Sequence, residues 1–346
     1  MDKDLRSMTR GEIAEVLAAM GQPAYRAGQI FSWMHEKAAR NYDEMTNLPA
    51  SLRARLAEEL PLTCAEIRER QVSRDGTEKY LFAMPDGCLV ESVLMRYKFG
   101  NSVCISSQVG CRMGCKFCAS TLEGLERDLL PSEMLEQIYE IRRTTGEPVT
   151  HVVVMGTGEP MDNYENLVRF LRLLTDEKGM HLSRRAITVS TCGLPDGIRK
   201  LAGEGLPVNL ALSLHAATDE KRRGIMPVAN RYTIAELLEA CKVYFEKTGR
   251  QITFEYALIS GVNDAEEDVR QLAALAAPLH AHINLIPVNP VRERGYRHPQ
   301  DRDVQAFKNK LEKSGVNVSI RRVMGRDIDG ACGQLRHRRL HDEKQI

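Results

Sequence analysis

The run Gln108-Val-Gly-Cys111-Arg-Met-Gly-Cys115-Lys-Phe-Cys118 holds three cysteines in the spacing C-x3-C-x2-C. It stands directly behind the strand-like run Val103-Cys-Ile-Ser106. Three thiolates are one fewer than the ligands of a four-iron cluster that only carries electrons. A cluster so held keeps one iron open to a substrate or cofactor. Zinc is the rival occupant, but a structural zinc needs a fourth ligand, usually from a second Cys or His pair. No such pair is read elsewhere in the chain.

Outward from this loop the chain alternates strand and helix. Strand-like runs follow at His151-Val-Val-Val154, Ala186–Val189, Val208–Leu212, Ile252–Tyr256 and Ile283–Ile286. Amphipathic stretches lie between them, at Ser132–Arg143, Asn166–Leu174, Ile234–Phe245 and Asp268–Ala276. Counting the strand at Val103, six βα repeats predict a parallel sheet with helices outside. Six are too few for a closed eight-strand barrel, so an open, partial barrel is expected, with active residues at the carboxyl ends of its strands. A seventh run, Val316-Asn-Val-Ser-Ile320, comes after the last helix.

Before the loop the pattern differs. Ile13, Val16 and Leu17, then Ile30, Trp33 and Met34, have helical spacing, with a break at Gly21-Gln22-Pro23. Residues 1–60 are therefore expected to form a helical accessory domain. Lys79–Ala83 and Cys88–Met95, joined by Pro85-Asp-Gly87, predict a hairpin within a small β extension over 61–97. Residues 98–346 would be the α/β core.

Composition is that of an ordinary globular protein, with net charge +1. The balance is uneven. From Val291 to Ile346, 14 Lys and Arg stand against 8 Asp and Glu, a local excess of six. A solvated surface and a polyanion partner both fit this excess. No apolar run approaches the ~20 residues of a membrane span. The start, Met-Asp-Lys-Asp-Leu-Arg, has no apolar signal region, which predicts a cytoplasmic protein. Nine cysteines, an odd number, argue against a disulfide scaffold. Cys64, Cys88, Cys192 and Cys241 fall in no pattern and read as structural.

The cysteine run, with Phe117 before its last cysteine, resembles the signature of the radical S-adenosylmethionine superfamily. That resemblance implies a partial (β/α)6 barrel and a [4Fe-4S] cluster on Cys111, Cys115 and Cys118. The open iron would hold S-adenosylmethionine and yield a 5′-deoxyadenosyl radical. Met155-Gly-Thr-Gly-Glu-Pro160, Ser190, Ser213-Leu-His215 and Asn289 follow successive strands. By the same resemblance Gly158, Glu159, Ser190, Ser213, Leu214, His215 and Asn289 would contact that cofactor. Cys104–Cys111 and Asp327-Ile-Asp-Gly-Ala-Cys-Gly-Gln-Leu335 narrow the likeness to the RlmN family of RNA adenine-C2 methyltransferases, over nearly the whole chain.

The family resemblance implies that Cys332 carries the methyl group, Cys104 resolves the intermediate through a transient disulfide with Cys332, and Glu91 accepts a proton. The chemistry explains why extra cysteines are needed. C2 of adenine is electron-poor and cannot attack a methyl sulfonium as an amine would, whereas a thiolate can. The implied substrates are 23S ribosomal RNA and the tRNA adenosine 3′ to the anticodon, with an electron donor or thiol reductant as further partner. A monomer without a membrane partner is expected. C8 methylation, as in the sister group Cfr, uses the same cysteines. Val109, where that group tends to have Cys, leans toward C2. A non-catalytic iron–sulfur or zinc RNA-binding module is the alternative from another class.

Overall fold

The computed structural model describes residues 4–291, 293–322, 324–325, 327–328 and 333–343, with 342 and 343 by backbone alone. Three helices open the chain, α1 (Arg10–Ala19), α2 (Tyr25–His35) and α3 (Ala50–Glu59). Thr9 starts α1 through a capping box with Glu12, satisfying N–H groups that a helix start leaves open. Ile13, Leu17, Ile30 and Met34 are fully buried, and Val16 and Trp33 pack beside them from half-buried positions. These helices share one apolar core with the rest of the molecule. Buried Arg6 fastens them. Its guanidinium donates to the carbonyls of Thr63 and Ala39, both at 2.6 Å, and pairs with Glu136 of the main body.

Strands β1 (Glu66–Val72), β2 (Glu78–Ala83) and β3 (Leu89–Tyr97) are antiparallel. The Pro85-Asp-Gly87 turn joins β2 to β3, with Gly87 at φ 86°, a conformation that favours glycine. Lys98 and Phe99 then turn the chain into β4 (Gly100–Ile105), and Tyr97 pairs with Gly100. The β segment read before the core is thus continuous with the core's own sheet.

After β4 come β5 (Gln108–Gly110), the cysteine loop and β6 (Leu125–Asp128), then α4 (Pro131–Thr145). The alternation continues with β7 (His151–Val154), α5 (Tyr164–Thr175), β8 (Ile187–Thr191), α6 (Pro195–Gly203) and β9 (Asn209–Ser213). Two helices, α7 (Asp219–Ile225) and α8 (Ile234–Thr248), precede β10 (Ile252–Leu258). The chain ends with α9 (Glu266–Ala276), β11 (His282–Pro287), α10 (Asp301–Lys313), β12 (Val318–Ile320) and α11 (Gln334–Glu343).

The ten-stranded sheet runs β1-β2-β3-β4-β7-β8-β9-β10-β11-β12. Every pairing from β4 onward is parallel. The six expected strands are all present, β12 is the seventh run, and β1 and β12 are the open edges. Alternation along each strand divides the side chains between two faces. Val152 and Val154 of β7 join the main core under the helices, while Val153 points to the inner face.

Candidate active site

A short ribbon holds the cysteine loop. β5 and β6 pair antiparallel outside the main sheet, and the N–H of Cys111 donates to the carbonyl of Gly124 at 2.8 Å. Gly110 has φ 77°, and a Cβ there would lie 1.9 Å from that same carbonyl oxygen. Only glycine fits this crossing. Neither strand was expected from sequence, being three and four residues long.

The loop delivers Cys111, Cys115 and Cys118 into a cleft at the carboxyl ends of the strands. Gly158, Glu159, Ser190, Ser213, His215 and Asn289 line the same cleft. Leu214 does not. Its side chain turns into the main core, because consecutive residues beyond a strand point opposite ways, and its carbonyl accepts from Arg222 at 3.1 Å. The cleft holds about 1190 Å³ of empty space, part of it open to solvent, enough for more than one small group.

Burial pushes the Cys111 thiol up to about 12 and the Cys115 thiol further up. Without a cation these thiols stay protonated, whereas a coordinated metal takes them as thiolates outright. One zinc would hold its sulfurs ~3.8 Å apart, from Zn–S distances of about 2.3 Å in a tetrahedron. Among the described residues, the group of three possible ligand atoms all within 4.8 Å of one another is Glu123, His337 and His341. The three thiols share the cleft wall instead.

Arg222 of α7 supplies fixed positive charge beside them. It is fully buried, and its guanidinium donates to the carbonyls of Cys192 (2.5 Å), Leu214 (3.1 Å) and Ser213 (3.3 Å). Its Nη1 has no hydrogen-bond partner among the described residues. Attraction to the cation opposes the burial that raises the Cys115 thiol. An arginine stays charged when buried, so this orphaned N–H suits an anionic cluster with three thiolates. Arg222 stands in the charged run Asp219-Glu-Lys-Arg-Arg-Gly224.

Two further polar groups of the cleft are held in place. The carboxylate of Glu159 accepts the N–H groups of Cys192 (2.6 Å) and Met161 (3.0 Å), and burial pushes its pKa up against those bonds. A Cβ at Gly158, φ 114°, would approach Ser107 and Gln108 to 2.7 Å, so the loop lies flat on the start of β5. His215 accepts the N–H of Ala257 on Nδ1 at 2.9 Å, leaving its proton on Nε2. Burial lowers its pKa to about 3, keeping it neutral. Its ring meets Phe117 edge-on at 4.9 Å, fixing the aromatic within the cysteine motif. Sequence reading missed Glu255, a buried acid in an apolar strand, and Arg321 after β12, both on the cleft wall. Cys192, read as structural, also lines the cleft and packs with Cys115. Cys241, by contrast, sits in the main core as expected.

A second group occupies the inner face of β2–β4. Cys104 of β4 lies opposite Val93 of β3 and packs with Val93, Met95, Val153 and Met155. Glu91, two residues before Val93, shares that face. Both its oxygens are engaged. Oε2 accepts the N–H of Gly333 (2.6 Å) and pairs with Lys79 (3.0 Å), and Oε1 accepts the N–H of Arg336 (2.6 Å). Glu91 thus caps the start of α11. Cys332 lies outside the described residues, but Met324 before it packs beside Cys104 and Gly333 after it meets Glu91. Met155 belongs to both groups, and a Cβ at Gly333 would come within 2.5 Å of the Ser120 N in the cleft wall. The two groups therefore adjoin.

A parallel βα core with an open three-thiol loop behind its first strand defines a radical S-adenosylmethionine enzyme, and the model of that superfamily matches residues 105–273. Residues 3–62 match the ribosomal RNA large subunit methyltransferase N-terminal domain. The chain belongs to the RlmN family. It is 56% identical, over 98% of its length and 97% of the relative's, to a "probable dual-specificity RNA methyltransferase RlmN" of Lachnospira eligens. A relative with the same description from Lachnoclostridium phytofermentans is 53% identical over 96% of this chain and 94% of its own. The crystal structure of a radical SAM methyltransferase from Sphaerobacter thermophilus superposes with TM-score 0.92 at 44% identity, covering 96% of this chain and 98% of that one. The cofactors of the family are a [4Fe-4S] cluster and S-adenosylmethionine. Among the described residues no helix is long and apolar enough to cross a membrane.

Proposed function

We propose that this chain methylates C2 of adenosine in RNA, in 23S rRNA and 3′ to the tRNA anticodon, using two S-adenosylmethionines per methyl group. The adjacency of the cleft to the Glu91–Cys104 face carries this reading. Cys111, Cys115 and Cys118 would hold the cluster. S-Adenosylmethionine carries a sulfonium, an ammonium and a carboxylate, a net positive charge. Buried Glu159 and Glu255 suit its cationic groups, and each Glu159 oxygen keeps a lone pair beyond its backbone bond. Gly158, Ser190, Ser213, His215 and Asn289 complete the wall, and Arg321 suits the carboxylate.

When bound, the two cofactors supply the methyl group and then the radical that removes one hydrogen atom from it. Cys332 takes that methyl as a thioether, and the resulting methylene adds to C2 of an adenine drawn out of its stack. Glu91 takes the C2 proton, and the one electron left on the adduct would return to the oxidised cluster held by Cys111, Cys115 and Cys118. Oε1 keeps one lone pair beyond its bond from the Arg336 N–H, and that is where the proton would go. The Cys104 thiolate then attacks Sγ of Cys332. The S–C bond breaks with its electron pair on carbon, which takes a proton and leaves as the methyl group of the product. An external thiol reductant returns two electrons to the Cys104–Cys332 disulfide. The N-terminal helices and the basic C-terminal stretch would hold RNA through phosphate contacts that weaken with salt.

Incubating the reduced enzyme with rRNA and tRNA fragments tests this reading. Mass spectrometry and NMR of the nucleosides should show 2-methyladenosine, with one S-adenosylhomocysteine and one 5′-deoxyadenosine formed per methyl. 8-Methyladenosine would overturn the C2 assignment, and absence of S-adenosylmethionine cleavage would favour the non-catalytic reading.

The role of Arg222 is checked separately. Its charge favours the more negative, reduced cluster, so Arg222→Met should lower the reduction potential by about 60 mV or more, one tenfold step for a single electron. Arg222→Lys should keep most of the native value. An EPR-monitored redox titration reads both, and an unchanged potential in Arg222→Met would dismiss the role.

A further inference from the structure

Outside the cleft, Glu123, His337 and His341 converge and have no part in the chemistry above. His337 and His341 stand four residues apart on α11 and so share one of its faces. Nδ1 of His337 and Nε2 of His341 lie 3.1 and 3.2 Å from the same oxygen, Oε1 of Glu123. The other ring nitrogen of His337, Nε2, faces Oε1 of Glu293 at 3.5 Å. In sequence the spacing His337-x3-His341 is the second ligand pair that a reading centred on the cysteines overlooks. Its partner here is a carboxylate rather than the cysteine triad.

Two imidazole nitrogens aimed at one carboxylate oxygen make a ligand set of two histidines and one carboxylate. A carboxylate behind one imidazole is the partner that fixes the tautomer of a ligating histidine. Ligands ~2.0–2.1 Å from a tetrahedral zinc lie ~3.3 Å from one another, close to the two distances found. We propose that Glu123, His337 and His341 bind one divalent first-row cation of the zinc class, with Glu293 orienting His337 and water in the remaining position. Imidazole with carboxylate suits zinc better than a hard, all-oxygen cation such as magnesium. Glu123 follows Cys118 by five residues, and His337 follows Cys332 by five. The ion would staple the segment after the cluster cysteines to the helix after the methyl-carrying cysteine.

The test uses cluster-loaded enzyme given one equivalent of Zn2+, desalted, and analysed for zinc and iron by mass spectrometry. One zinc beside four irons is expected in the native chain. His341→Ala and Glu123→Gln should keep the iron and lose the zinc. Glu293→Gln should weaken zinc binding by roughly 10–100-fold. X-ray absorption at the zinc edge should show nitrogen and oxygen neighbours without sulfur, and amides of α11 should exchange more slowly with zinc in the native chain only. Failure of the native chain to retain zinc, retention by both variants, or sulfur around the zinc would overturn the proposal.

Discussion

Replacing Cys332 with alanine should reduce methylated adenosine to background, whereas Cys104→Ala should halt the same reaction later, with RNA covalently bound to protein. The difference follows from what each sulfur does. Without the Cys332 thiolate there is no carrier, because electron-poor C2 cannot take the methyl from a sulfonium directly. Without Cys104 the carrier still loads and adds, but nothing attacks the thioether sulfur. The placement of Cys104 supports this division. It is buried on the inner face of β4, beside Met324 and on the face that Glu91 shares, so substituting the smaller alanine leaves the cleft cysteines untouched. Denaturing electrophoresis of labelled RNA, with mass spectrometry of the crosslinked peptide, reads the adduct. Normal product release by Cys104→Ala would refute the resolving role, and methylation by Cys332→Ala the carrier role.

Glu91→Ala should damage stability as well as turnover. Lys79 and Glu91 are both buried, 0% and 3% exposed, and removing one member of a buried ion pair leaves the other charge uncompensated, at a cost of about 3–5 kcal/mol. The same change strips two N–H groups at the start of α11 of their acceptor. Glu91→Gln separates the roles. It keeps the volume and one acceptor oxygen, so it should lose less stability in urea unfolding than Glu91→Ala, while remaining unable to take the C2 proton. If Glu91→Gln turns over normally, the carboxylate is a cap and not a base. If Glu91→Ala unfolds at the native urea concentration, the buried pair contributes nothing net.

The legible parts of this chain were those encoded locally. β7, His151–Val154, coincides with its reading because a short apolar run there is bounded on both sides by turn-forming residues. The cysteine spacing identifies its loop without help from the rest of the fold. What sequence concealed depends on distant partners. Arg222 sits in a charged run yet is buried, since the carbonyls that satisfy it come from Cys192, Ser213 and Leu214. Leu214, named with its neighbours by resemblance, turns into the core while Ser213 and His215 face the cleft. Glu91 was legible as a carboxylate on a strand. Its three partners come from β2 and from residues more than 240 positions later, which no local pattern reveals.

The ribbon of β5 and β6 bears on what the loop keeps when a thiol is lost. Residues 111–124 form a loop whose two ends are already buckled together by the Cys111–Gly124 hydrogen bond and the crossing at Gly110. The entropy of closing that loop is met by the polypeptide alone. The base of the loop is thus held by backbone contacts in which none of the three thiols takes part. Losing a cysteine thiol should therefore cost the loop its cargo and leave its hinge at Gly110 and Gly124 in place.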